Sequence, residues 1–492
     1  MIRSVMAVWK EKKLSFFLAL IPWLASFLLE GRFFVVARSA HLLTYVGCKG
    51  ILLVGLFLFA DFLLRAIREP MGDSRYTLLY AMSYFLILLG WMLWKLPLYL
   101  QGDELNIYIQ AKQLDPMAYW FNYFTGCYWI SCGMLLPFEM GPILIKLLLH
   151  SLTMGYCAQR LRKHSSAVWA LLLYIPYLQP FVMDLGASAH RLPLYGILYL
   201  FLAAKLFFDH KEQKKLDGKT LLLLSVVIGI LSYWRTEGIY MVVAGAILIP
   251  VAYRLPVRKQ LSRLWKPAVC YVLILLILAL PQFAAYADDS KPSMMVRSAP
   301  LCGYALANML RSGLEEADIE PATYEAIDVY IPFEKLREMN AVQGDAAYSH
   351  AMAMDLADPK ADFAVRGAFC DAVKGLILKH PLIFLRSQWN GFCYTSAQYS
   401  YEGDLQTFLR YGSYRQWLPL LLCGIFLIFG LLRKRFVTML LSLCGLGNWA
   451  LITALMPAAY AKYFYVDYLL GYFLLFLGLA CLLSRRKEQI YE

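Results

Sequence analysis

The sequence predicts an all-α polytopic membrane protein, with about twelve transmembrane helices and a mainly helical extracytoplasmic subdomain. Three observations predict it. The 492 residues are 60% apolar and only 16% charged, and their mean hydropathy of +0.54 lies outside the range of soluble globular domains. Twelve apolar stretches reach or approach the length that crosses about 30 Å of hydrocarbon. Lys and Arg gather in every second connection between those stretches, which is how helical membrane proteins set their orientation.

In chain order the stretches are 14–29, 42–64, 77–100, 141–157, 167–184, 192–208, 220–234, 239–253, 267–285, 417–432, 436–456 and 463–483. Those at 220–234 and 239–253 are short. The first follows Lys10, Lys12 and Lys13, but no small-x-small cleavage pattern comes after it, so it reads as an uncleaved span rather than a signal peptide. With the N-terminus in the cytoplasm, the inside connections hold Arg65, Arg68 and Arg75; Arg160, Arg162 and Lys163; Lys211, Lys214, Lys215 and Lys219; Arg254, Arg258, Lys259, Arg263 and Lys266; and Arg433, Lys434 and Arg435. The C-terminal Arg485, Arg486 and Lys487 fall on the same side. This agreement in phase favours twelve spans over eleven or thirteen.

Three regions follow. Residues 1–285 form an N-terminal transmembrane bundle of about nine spans with an outer loop at 101–140, residues 286–416 an extracytoplasmic helical segment, and residues 417–492 about three C-terminal spans. Within the long segment, Asp358-Pro359 reads as an N-cap with proline at the first helical position, before a helix that runs to Lys379-His380-Pro381. Its last part, 382–394, is expected to lie against the membrane surface. The absence of an obvious organelle signal and the compact loops point to a bacterial plasma membrane, with both termini cytoplasmic.

A net charge of +13 does not point to nucleic acid, because the basic residues sit beside apolar runs rather than along one polar face. The eleven cysteines are scattered without C-x-x-C spacing and read mostly as small core residues. Cys127 and Cys132 in one outer loop, and Cys302, Cys370 and Cys393 in the long outer segment, could pair in an oxidising compartment; the sequence leaves this open. No glycine-rich phosphate loop, zinc signature or fixed-period repeat is present.

Polar groups next to hydrocarbon are expensive, so a cluster of them on one face marks a candidate site. Four outer turns supply such groups. Gln101-Gly102-Asp103-Glu104 stands ahead of a predicted helix at 105–114, and adjacent carboxylates lie about 100° apart on a helix, so one of the two faces a cavity. Alternatively the pair marks the membrane boundary and complements the helix N-terminus. The second turn carries His190-Arg191. The third, Trp234-Arg235-Thr236-Glu237-Gly238, lies between two short apolar segments, and its Arg235 and Glu237 either line a pocket or form a local ion pair. The fourth holds Lys462 and Tyr463, which an interfacial anchor would also use. Arg386 and Trp389 occur where the long segment returns to the membrane, as they would in a surface-lying amphipathic helix. Carboxylates and several fixed cations at headgroup level suit a reaction between a membrane-embedded phosphate ester and an acceptor hydroxyl.

At these residues the chain resembles the GT-C superfamily of integral-membrane glycosyltransferases, in particular its protein mannosyltransferase and lipid A aminoarabinose transferase branch. Asp103-Glu104-Leu105-Asn106-Ile107-Tyr108-Ile109-Gln110-Ala111 is similar to that branch's D-E-x-x-Y-x-x-x-A pattern, with the Tyr one place late. The large outer segment and the basic-aromatic turn before the last span match its organisation. Two spans precede the Asp-Glu loop where one is usual, and Lys462-Tyr463 stands where Arg-Tyr is common. The resemblance implies a GT-C-like fold and inverting transfer of a sugar from a polyprenyl-phosphate donor to an acceptor glycan, lipid or protein on the extracytoplasmic face. Carried over, Asp103 is the general base, with Glu104 orienting it or binding substrate. Arg235, Arg386, Lys462 and Arg191 bind the donor phosphate, and His190, Glu237, Tyr463 and Trp389 bind substrate. Such cations could replace a divalent metal for a monophosphate donor, so no cofactor is expected. The competing readings are a transporter or flippase of a lipid-linked or amphipathic substrate, for which Lys146, His150 and Asp467 speak, and an outer-face polysaccharide polymerase or ligase.

Overall fold

The structure, a computed structural model, describes residues 2–96, 100, 103–116, 122–255, 261–286, 294–343, 353, 355–397, 417–456 and 460–490. Among the described residues the regular structure is helical throughout. In order the helices are α1 (Ile2–Leu29), α2 (Leu42–Arg68), α3 (Asp73–Trp94), α4 (Asp103–Lys112), α5 (Tyr123–Leu135), α6 (Gly141–His164), α7 (Ala167–Leu172), α8 (Tyr174–Tyr177), α9 (Pro180–Ala187), α10 (Leu192–Lys211) and α11 (Gly218–Trp234). They continue with α12 (Met241–Ala252), α13 (Leu261–Tyr286), α14 (Met294–Arg311), α15 (Pro321–Asp328), α16 (Phe333–Gln343), α17 (Phe363–Lys379), α18 (Pro381–Ala397), α19 (Trp417–Leu432), α20 (Phe436–Leu455) and α21 (Tyr465–Ile490).

Seven helical stretches among the described residues are long and apolar enough to cross a membrane: Lys12–Arg32, Leu42–Arg68, Asp73–Trp94, Gly141–His164, Leu192–Lys211, Trp265–Phe283 and Phe436–Leu455. An integral membrane protein is the architecture these helices are built for. Three more apolar helices, Gly218–Trp234, Glu237–Ala252 and Trp417–Leu432, are shorter. The expected span at 167–184 is not one straight helix, because Ala167–Tyr177 and Pro180–Ala187 meet at 73°. Proline explains the break. Pro180 takes the first helical position of α9 and holds Gln179 in extended backbone (φ −67°, ψ 141°), which a continuous helix cannot accommodate.

The chain divides into two compact units. The first comprises Met1–Ala285, Leu422–Leu443 and Leu469–Glu492, the second Tyr286–Leu421 and Cys444–Tyr468. In the first unit α3 lies along α6, and Gly155 makes the approach possible: a Cβ there would come within 2.4 Å of the Thr77 carbonyl oxygen. Where α6 and α10 end, an ionic network joins them to α3. Arg160 reaches Glu212 at 2.7 Å and Asp73 at 3.8 Å, while fully buried Asp209 takes Lys205, Lys214 (3.1 Å) and the Tyr253 hydroxyl (2.5 Å). Such charges survive burial because each is paired and hydrogen-bonded.

The second unit holds a small helical core in which α14 packs on α17 and α18, with α15 and α16 alongside. Leu306, Met309, Ile331, Phe333, Leu336, Phe369 and Val373 are buried there. The helix expected from Asp358-Pro359 begins later, at Phe363, because Asp362 is the residue that caps it, accepting from the Val365 amide at 2.8 Å. Asp358 instead turns back on the Lys360 amide at 2.9 Å and gives its own amide to the Tyr330 carbonyl, so the chain is first pinned to the connection after α15 before the helix starts.

Candidate functional site

The helix α4 opens at Asp103. The Asp103 side chain, with Gln101 and Gly102, lies outside the described residues. The inward side of α4 is apolar: Ile107, Ala111 and Leu114 are buried against Phe33, Tyr45, Trp129 and Ile130. Its C-terminal Lys112 carbonyl accepts from the Val35 amide at 3.0 Å. Tyr108 packs edge-on to Phe33 and Trp129, with centroids 5.7 Å and 6.4 Å away. Burial, followed by the Glu139 carboxylate, pushes its phenol up, so it stays neutral. This bed is itself locked by charge. Glu30, fully buried after α1, takes Lys49 of α2 at 2.5 Å, Arg38 at 3.2 Å and the Tyr45 hydroxyl at 2.6 Å.

From that platform Glu104 pairs with His190 Nδ1, joining α4 to the turn after α9. The turn is held from below. Buried Lys146 of α6 donates to the carbonyls of Leu185 (3.3 Å), Ser188 and His190 (3.2 Å). Leu185 lies in the last turn of α9 and Ser188 is its C-cap, and a cation suits that end of the helix dipole. The next residue, Arg191, accepts at its carbonyl from the Trp234 indole at 3.1 Å, which ties the end of α11 to the same turn. Trp234 is buried edge-on to Tyr128, 5.9 Å between centroids, and its own carbonyl accepts from Thr125 at 3.4 Å.

Arg235, in extended backbone (φ −140°, ψ 152°) and only 8% exposed, pairs with Glu237 across a 3-10 turn at Thr236–Tyr240. Gly238 lets the turn fold back on α11, since a Cβ there would sit 2.2 Å from the Leu231 carbonyl oxygen. Five of the sequence candidates, Glu104, His190, Arg191, Arg235 and Glu237, therefore come from three separate connections that are linked to one another within the first unit. The ion-pair reading of Arg235 and Glu237 is also met by this geometry.

The remaining candidates belong to the second unit. Lys462 lies in a 3-10 turn, Ala461–Phe464, with its ammonium 5.0 Å from the Tyr460 ring and 5.9 Å from the Tyr463 ring. Trp389 of α18 stacks against Phe392 and Trp449, 5.4 Å and 6.4 Å away, and is half-exposed. Arg386 is exposed on the same helix, one residue before buried Ser387. Asp467 is buried and accepts both bonds, at 3.1 Å and 3.2 Å, from the Asn448 amide.

Among the described residues, no three His, Cys, Asp or Glu side chains come together as a metal site. Sequence reasoning left out Glu30 and Lys49 and gave Lys146 to another reading. Their signal was a charge inside or at the edge of an apolar run, which is rarely unpaired. Compared with known protein families, curated proteins and solved structures, the chain gives no match.

Proposed function

We propose that the protein is an inverting GT-C type glycosyltransferase, which moves a sugar from a polyprenyl-phosphate donor to an acceptor hydroxyl at the extracytoplasmic membrane face. The observation that carries this is the Glu104–His190 pair together with the tie from the Arg191 carbonyl to Trp234, the neighbour of the Arg235–Glu237 pair, which link three connections that the charge pattern assigns to the outside. In the reaction, the acceptor oxygen attacks the anomeric carbon while the bond from that carbon to the phosphate oxygen breaks, and the electron pair leaves on the lipid phosphate. Asp103 takes the acceptor proton, and the Glu104–His190 pair beside it orients substrate. Arg235 and Arg191 offset the charge that grows on the phosphate, where low hydration makes a fixed cation most effective. An oxocarbenium-like transition state is expected. The reading retains twelve spans, cytoplasmic termini and a bacterial plasma membrane.

The test is release of polyprenyl phosphate by reconstituted protein given labelled polyprenyl-phosphate sugars. Asp103→Asn should lower turnover by about 10²–10⁴-fold, the usual worth of a general base, while leaving insertion intact. Arg235→Ala should weaken donor use. A fully active Asp103→Asn variant removes that residue from the mechanism.

One observation favours a second reading, a transporter of a lipid-linked substrate. Tyr84 gives its hydroxyl to the Tyr177 carbonyl at 2.8 Å and sits 3.4 Å from His150 Nε2, a polar group buried within the bundle. The same assay separates the two, since a transporter would move the intact lipid without cleaving it.

A further inference from the structure

The core of the second unit buries two thiols against each other. Cys302 of α14 is 7% exposed and Cys370 of α17 is 1% exposed. The Cys302 thiol points at the Cys370 residue, with its sulfur 4.0 Å from the Cys370 carbonyl oxygen, and the two side chains are within hydrogen-bonding reach. Ser298, one helical turn before Cys302, places its hydroxyl 3.6 Å from the Cys370 sulfur. α14 thus presents Ser298 and Cys302 together to Cys370 of α17. The third cysteine that the sequence left in play, Cys393, is exposed on α18.

We propose that Cys302 and Cys370 are joined by a disulfide that staples α14 to α17. This rests on the outer-face placement of residues 286–416, since that compartment is where such bonds form and persist. The chemistry is exchange with a disulfide-bearing oxidant, a thiol oxidoreductase of that compartment. While the subdomain is still open, Cys370 is within reach of the oxidant and attacks as its thiolate. Its sulfur bonds to one sulfur of the oxidant and expels the other. Cys302 then loses its proton and attacks Cys370 Sγ, releasing the second oxidant thiolate. Two thiols give up two protons and two electrons, and the oxidant's disulfide becomes a dithiol. Burial of both sulfurs places this step before the core closes, as the subdomain folds.

The experiment uses the full chain in native membranes. Free thiols are blocked with a small maleimide under denaturing conditions, and a mass-tagging maleimide is then added with or without prior reduction. Two tags that appear only after reduction, lost in Cys302→Ser and in Cys370→Ser but retained in Cys393→Ser, are the expected result. Cys302 and Cys370 both blocked without reductant in the unmodified chain overturn the proposal, and this arm needs no variant to fold. A parallel label, a membrane-impermeant maleimide on Leu378→Cys, an 81%-exposed position of α17, keeps the two readings apart. Labelling of intact cells with both thiols free sinks the disulfide alone. Labelling only after permeabilisation sinks the outer-face reading, and free thiols then sink the disulfide as well.

Discussion

Lys146 illustrates how much a single side chain can organise. An unpaired ammonium inside a bundle is costly, yet here it satisfies three carbonyls of the turn that presents His190 to Glu104. Lys146→Met keeps the length and removes a donor from the Ser188 and His190 carbonyls, at a cost of about 1 kcal/mol each. The expected outcome is a lower melting temperature of the detergent-solubilised protein, together with impaired transfer because His190 loses its seat. Unchanged melting and unchanged turnover would show that water or another group can hold the turn equally well. Arg235 and Glu237 were legible at this scale from their spacing alone, whereas the pairing of Glu104 with His190, 86 positions apart, was not: a two-residue motif carries no information on which distant side chain will meet it.

At the scale of the element, close approach decides more than propensity does. α3 and α6 touch where Gly155 meets the backbone at Thr77 and Ala81, 2.4 Å and 2.7 Å from the place of a Cβ. Gly155→Leu must push the helices apart, and overpacking of this kind costs roughly 1–3 kcal/mol or more. A reduced yield of folded, monodisperse protein is expected from size-exclusion chromatography, while Gly47→Leu, at an open position on α2, should be tolerated. Helix ends were partly readable. His380-Pro381 marks the boundary between α17 and α18, whereas the break at Pro180 went unread because 167–184 is apolar enough to pass for one span. The start of α17 was misjudged because Asp358-Pro359 and Asp362 both carry capping chemistry, and the choice between them was made by the Asp358 amide bonding to Tyr330.

For the whole molecule the governing term is the charge asymmetry of the connections. Its prediction concerns the termini. Reporter fusions that fluoresce or are cleaved only in the cytoplasm should work at both ends of the chain, and a fusion placed in 286–416 should not. A cytoplasmic signal from that segment would invert the topology and remove the outer-face chemistry with it. The short helices at Gly218–Trp234, Glu237–Ala252 and Trp417–Leu432 are the places where such a map tests the count of twelve, since shorter spans require local thinning of the bilayer or shelter among neighbouring helices.

What the sequence by itself determined is the solvent and the secondary structure. Apolar stretches of about 20 residues admit few alternatives to helices, because every backbone polar group in hydrocarbon must be satisfied within its own segment. Composition and local order suffice for that. Only the tertiary structure decided which polar residues share a neighbourhood: Glu30 with Lys49, Glu104 with His190, Lys146 beneath the 185–190 turn, and Cys302 with Cys370. These pairs join distant parts of the chain, and the packing of helices that are almost uniformly apolar leaves no periodic mark from which their partners could be read.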